Sequence, residues 1–95
     1  MSDRQRVDIW LWRARLAKTR TAASQLVAAG NVRLMRGNQN RRLEKAATEI
    51  EIGDSLVFAA LSELKAVRIL ALPARRGPPG EASTLYRELD ADGLA

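Results

Sequence analysis

Apolar side chains at Val7, Trp10, Leu11, Ala14 and Ala17 recur at three- and four-residue spacings, which predicts a first helix from about residue 7 to 16 with one apolar face. Asp8, Trp12 and Arg15 share a flank of that helix, and Arg13 sits at the edge of the apolar face. Thr19, with Thr21 as second choice, is placed to cap a second helix that uses Ala22, Ala23, Leu26, Val27 and Ala29 and stops at Gly30. The alanines allow the two helices to approach closely as a hairpin. After Gly30 the period falls to two. In NVRLM, Val32 and Leu34 point one way and Arg33 the other, which predicts a short strand. The charged stretch RGNQNRRLEKAATEIEIGD reads as an exposed loop until Ile50 and Ile52 restore alternation. Gly53-Asp54 marks a turn into a strand over Ser55 to Leu61, with Leu56 and Phe58 on one face. A further strand runs from Lys65 to Leu72, with Val67 and Ile69 alternating against Arg68 and Leu70.

Pro73 ends that strand, because proline cannot donate a ladder hydrogen bond. RRGPPG (75–80) reads as turn or extended chain, and Glu81 to Leu89 as a short helix with Leu85, Tyr86 and Leu89 on one side. The resulting class is α+β: an N-terminal helical hairpin packed on a small, bent, mainly antiparallel sheet, with a short C-terminal helix. Neither layer buries enough apolar area to stand alone, so the hairpin must cover the sheet.

Charge changes this picture from a generic small domain to one with a polarised surface. The 95-residue chain is formally +5, but eleven basic residues face three acidic ones through Lys45, against five and eight beyond it. Clustered cations release counterions on meeting phosphates, so a polyanion is the direct reading, with a merely solubilising surface as the competitor. Arg13, Arg15, Lys18 and Arg20 can lie beside successive phosphates, and Trp12 can stack on an exposed base, form a cation–π pair with Arg15 on its own flank or pack under the C-terminal tail. Arg36, Arg41, Arg42 and Lys45 are available from the charged loop. Trp10 belongs to the core, Asp8 to a cap or salt bridge, and Gly30 to helix termination.

Catalytic chemistry finds little support. Histidine and cysteine are absent, so no serine has a histidine base and the usual zinc sites and disulfides are excluded. RRGPPG lacks the spacing of a phosphate-binding loop, and its prolines remove amides that such a nest would use. No cofactor or metal is expected. The charged start and the lack of about 20 consecutive apolar residues give no signal peptide or membrane span, so a cytoplasmic protein without membrane contact is expected. With no obvious exposed apolar stripe, a monomer is expected too.

The runs Arg6-Val7-Asp8-Ile9-Trp10-Leu11, Lys18-Thr19-Arg20-Thr21-Ala22-Ala23, Leu26-Val27, Gly30-Asn31-Val32-Arg33 and Gly53-Asp54 resemble the S4 RNA-binding domain. DIWLWRARLAKTR and the downstream RRGPPGEASTLYREL are similar to the two signatures of a small ribosome-associated bacterial heat-shock protein family. Together these cover about residues 6 to 89. The resemblance implies the S4-like (alpha-L) fold over residues 6–72, followed by a C-terminal extension, 73–95, that packs back or meets a partner. It implies a noncatalytic protein that binds ribosomal RNA on free large ribosomal subunits carrying a nascent chain, with nascent-chain tRNA as a further contact and nonspecific DNA binding in isolation.

By matched position the resemblance puts Arg6, Arg13, Arg15, Lys18, Arg20 and Arg33 among the RNA-facing residues, with Asp8 orienting neighbouring basic groups. Two departures stand out. The family's compact Asn-Gly turn and Lys-Pro pair are replaced by LMRGNQNRRLEKAA, in which Lys45-Ala46 takes the Lys-Pro place, and the long charged C-terminal extension of the familiar relative is not matched. Two other functions remain open from the sequence: a targeting module that recruits an RNA-modifying enzyme, and a protein adaptor that uses Leu85, Tyr86 and the proline segment.

Overall fold

The computed structural model describes residues 3–60 and 63–89. In chain order it runs β1 (Arg4–Arg6), α1 (Val7–Arg13), α2 (Arg20–Ala28), β2 (Val32–Arg36), β3 (Gln39–Arg42), β4 (Glu49–Glu51), β5 (Ser55–Ala60), β6 (Glu63–Ile69), α3 (Pro79–Ala82) and β7 (Tyr86–Leu89). Five strands form one antiparallel sheet in the order β3-β2-β5-β6-β7, and β1 pairs separately with β4. The helical pair covers one face of the bent sheet, as the amphipathic pattern requires. Leu61, expected at the end of the Ser55–Leu61 strand, and residues 90–95 of the C-terminal extension lie outside the described residues.

The core is built by Val7, Trp10, Leu11 and Ala14 from the first helix, Ala23 and Val27 from the second, and Val32, Leu34, Leu56, Phe58, Val67 and Ile69 from the sheet, closed by Leu43 and Ile50. Trp10 is wholly buried. Its Nε1 donates to the Ala71 carbonyl at 2.9 Å, and its ring meets Tyr86 edge-on at 6.3 Å. Of the apolar residues expected on α2, Ala22 and Ala29 are exposed. The buried stripe is the narrower Ala23–Val27 pair with Leu26 beside it.

Both helices end in a Schellman motif, and the residues at the left-handed position differ. After α2 the Gly30 amide donates to Val27 O and the Asn31 amide to Leu26 O, with Gly30 at φ 80°. After α1 the Arg15 amide donates to Trp12 O and the Leu16 amide to Leu11 O, with Arg15 at φ 60°. Arg15 is the only non-glycine with positive φ among the described residues. The first helix therefore ends at Arg13 rather than near residue 16, with Leu16 folded back on the core. At the other ends, the Thr19 hydroxyl accepts from the Ala22 amide at 2.9 Å, which makes Thr19 rather than Thr21 the cap of α2. The first amides of α1 are satisfied from a distance in sequence, Val7 by Thr48 O and Asp8 by Ala46 O.

Further expectations are corrected. Residues 36–42 are not a loop: Arg36 opposes Gln39 across the two-residue turn Gly37-Asn38, with Gly37 at φ 59°, and Gln39–Arg42 form an edge strand. All four residues of β3 are exposed, so the strand has no buried face to generate an alternating pattern. The helix expected over Glu81–Leu89 is instead a single turn at Pro79–Ala82 followed by a strand over Tyr86–Leu89, in which Ile69 opposes Tyr86 and Ala66 opposes Leu89. Pairing with the edge of β6 overrides the helical spacing of Leu85, Tyr86 and Leu89. Leu85 and Tyr86 pack on the core, so the chain's own fold uses the side chains that the adaptor reading reserved for a partner. Ile50 is buried but Ile52 is 61% exposed, because β4 stops at Glu51 before the Gly53 turn.

Candidate nucleic-acid interface

The basic residues of the first 45 positions separate into groups with different surroundings. Around α1 the arginines are engaged by the protein itself. Arg13 turns inward, with Nη1 donating to the Pro73 carbonyl at 2.7 Å and Nε buried. Gln5 donates to the same carbonyl at 2.8 Å. Trp12 is half-buried under the tail: the Arg76 guanidinium lies 5.5 Å from its ring centroid, and Arg76 Nε donates to the Trp12 carbonyl at 3.0 Å. Of the three roles open to Trp12, packing under the tail is seen, and the cation over its ring is Arg76, 64 positions away, instead of the expected Arg15, whose Nε goes to Gly77. Arg15 is exposed and its Nε donates to the Gly77 carbonyl at 2.9 Å.

Beside α2 lies an open hollow of about 540 Å³ lined by Arg6, Asp8, Arg20, Thr21, Ser24 and Gln25. Asp8 is only 2% exposed. It accepts two hydrogen bonds from Arg6, at 3.1 and 2.9 Å, one from the Ser24 hydroxyl and one from the Ile9 amide. Burial alone would raise the Asp8 carboxyl. The hydrogen bonds from Arg6, Ser24 and Ile9, with the Arg6 charge, outweigh it and hold the carboxyl below its ordinary value. One carboxylate thus ties β1, α1 and α2 together and fixes Arg6 beside the hollow that Arg20 also lines.

The third group is the β2–β3 hairpin and its approaches. Arg33 directly opposes Arg42, and both are exposed. Arg33 Nη1 donates to Asn40 Oδ1 at 3.2 Å, and Arg42 lies so close to Gly30 that a Cβ there would stand 3.2 Å from its Cδ. Arg41, Lys18 and Lys45 are exposed too. Arg36 differs: its guanidinium grips the buried Asp54 through bonds of 2.9 and 2.7 Å, with Glu51 at 3.7 Å. The bonds to Asp54 raise the Arg36 pKa above its ordinary value. This pair closes the Gly53-Asp54 turn, since Asp54 also accepts from the Glu51 amide.

Of the residues proposed from sequence, Arg6 and Arg20 meet at the hollow, and Arg33 and Arg42 meet on the hairpin with Arg41 beside them. Arg13 and Arg36 have structural partners. The sequence reading missed Arg76, which the chain count assigned to the acidic half. Its signal was the Arg75-Arg76 doublet ahead of Gly-Pro-Pro, a site that acquires meaning only when residues 73–77 cross the end of α1. Among the described residues no group of three His, Cys, Asp or Glu side chains could hold a metal ion, and no helix is long and apolar enough to cross a membrane.

Residues 5–34, which hold both helices and the start of β2, match the S4 domain. The chain is 37% identical over 87 residues to the heat shock protein 15 homolog of Haemophilus influenzae, covering 90% of this chain and 62% of that protein. It is 31% identical over 83 residues to heat shock protein 15 of Escherichia coli, covering 87% and 59% respectively. The chain therefore spans less than two thirds of the length of these relatives. The trimeric structure of Vibrio cholerae heat shock protein 15 superposes with a TM-score of 0.79 at 32% identity, over 96% of this chain and 86% of that one. At this identity, and with most of that solved chain covered, the chain belongs to the heat shock protein 15 family.

Proposed function

We propose that this chain is a noncatalytic RNA-binding protein that docks on ribosomal RNA of the large ribosomal subunit. The observation that carries the reading is the exposed Arg33–Arg42 pair. Like charges directly opposite each other across two strands are destabilising, and among the described residues no acidic side chain forms an ion pair with either. A phosphate between them turns the repulsion into attraction, and the neighbouring Arg41, Lys18, Arg20 and Lys45 extend the surface. Docking is chiefly electrostatic, and folded RNA is then distinguished by shape, because side chains cannot read the deep groove of an A-form helix. Free large subunits that retain a nascent chain, with its tRNA, are the finer target in this reading. Nonspecific DNA binding follows from the same phosphate attraction.

Replacing Arg20, Arg41 and Arg42 together with alanine tests the surface. The slope of log affinity against log salt for purified large-subunit RNA should fall by about 2–3, with the fold stable because exposed charges contribute little to stability. An unchanged slope would mean that these residues do not meet phosphate. Crosslinking in cells, followed by mapping of crosslinked RNA in free large subunits and in intact ribosomes, tests the target. Crosslinks confined to other RNAs would favour a targeting module for an RNA-modifying enzyme.

A further inference from the structure

The end of α1 and the strap after Pro73 hold each other by a reciprocal exchange. Arg15 reaches from the helix end to the Gly77 carbonyl, and Arg76 reaches from the strap to the Trp12 carbonyl. Among the described residues, the hydrogen bond each guanidinium makes is through its Nε. The Nη groups of both make no hydrogen bond or ion pair with other described residues. The Arg76 guanidinium carbon also lies over the Trp12 ring, 5.5 Å from its centroid, which adds a second anchor beside the Nε bond. Glu81 rests against Gly77 but is within ion-pair range of neither arginine.

Arg15 also occupies the left-handed position that Gly30 fills at the end of α2. Glycine meets that backbone requirement without strain, whereas arginine does not. A strained side chain at this position points to a use for the side chain itself. A guanidinium anchored through Nε presents its remaining donors as a fork already oriented for the two oxygens of a phosphate.

We propose that Arg15 and Arg76, crossed at the junction of α1 and the strap, form a second RNA-phosphate site separate from the α2–hairpin surface. The proposal rests on the RNA-binding reading above and extends it to a residue of the C-terminal segment. The phosphate is held by side chains, not by the amides of RRGPPG, two of which the prolines remove. Trp12 is a positioning residue here: it orients Arg76 and does not itself stack on a base.

The test is equilibrium titration of the full chain with RNA purified from large ribosomal subunits at several salt concentrations, alongside thermal unfolding. Arg15→Gly should weaken binding about tenfold and lower the salt slope by about 1, while the thermal midpoint stays level or rises as the left-handed strain is relieved. Arg76→Lys should keep the slope but lose several-fold in affinity, since the charge remains and the fork over Trp12 does not. Arg20→Ala, on the other surface, serves as the reference. If Arg15→Gly and Arg76→Lys bind as the unaltered chain does while Arg20→Ala loses slope, the second site is wrong and the RNA reading stands. If the unaltered chain shows no salt-dependent binding, the RNA reading itself fails. Loss of affinity that tracks loss of thermal stability in both variants would reduce the clasp to a structural strap and overturn the proposal.

Discussion

The two helices of the hairpin carry arginines of the same sign on the same kind of scaffold, yet they use them differently. At α1 the chain's own carbonyls take one donor of each guanidinium: Arg13 goes to Pro73, Arg15 to Gly77, and Arg76 returns to Trp12. At α2 and the hairpin behind it, Arg20, Arg41 and Arg42 remain exposed, and Arg42 leans on a glycine. The ends of the helices show the same division. Left-handed backbone is supplied by Gly30 where the neighbouring Arg42 needs room, and by Arg15 where a side chain has to reach the strap. Charge density along the sequence therefore does not rank residues by their exposure to a ligand. That ranking follows from which carbonyls the fold brings alongside.

The strapped side depends on Trp10, which joins α1 to Ala71 and Tyr86. Trp10→Ala should cost about 3–5 kcal/mol, because it opens a core cavity and leaves the Ala71 carbonyl without its donor. Denaturant unfolding measures this directly, and an unchanged midpoint would remove the distinction between a strapped and an open side.

Asp8 is the element common to both sides, and Asp8→Asn should cost about 1–3 kcal/mol near neutral pH. The sign of its pH dependence follows from its lowered pKa. The folded carboxyl titrates below the ordinary value of 3.8, so its stabilisation is present above that value and is lost as pH falls through the folded pKa. The stability gap between the native chain and Asp8→Asn should accordingly close on acidification below about 3.8, as followed by unfolding curves at a series of pH values. A gap independent of pH would place the loss in packing instead of charge.

The smallest of the three effects sharpens the comparison of helix ends. Gly30→Ala should destabilise by about 1–2 kcal/mol, because an L side chain is strained at φ 80° and its Cβ would press on Arg42 Cδ at 3.2 Å. A thermal midpoint that rose on this change would mean the left-handed position costs nothing here, and Arg15 would then need no functional explanation.

Much of the layout was legible from pattern alone. The helical spacing of Val7, Trp10, Leu11 and Ala14, the Thr19 cap, the Gly30 stop and the period-two runs around Val32, Leu56 and Val67 all report local preferences reinforced by burial. The elements that were missed or misassigned share one property: their side chains carry no alternation of buried and exposed positions that marks a strand. Gln39–Arg42 is an exposed edge strand whose only cue is Gly37-Asn38. Arg4–Arg6 pairs with Glu49–Glu51 through backbone bonds between distant segments. Tyr86–Leu89 has a spacing that fits a helix as readily as an edge strand, and only the free edge of β6 chose between them.

The candidate interface divides along the same line. Sequence by itself determined the sign of the surface, the identity of its cations, the amphipathic hairpin that carries them and the family resemblance of its two signatures, because each is a property of residue order. Tertiary structure decided which cations face solvent. It turned Arg13 and Arg36 toward Pro73 and Asp54, fixed Arg6 through Asp8, set Arg33 against Arg42, and brought Arg76 from the far end of the chain over Trp12. Those outcomes depend on which carbonyls and carboxylates lie within about 3 Å of each guanidinium, the reach of a hydrogen bond. Contacts over some 60 positions of sequence leave no local periodicity to read.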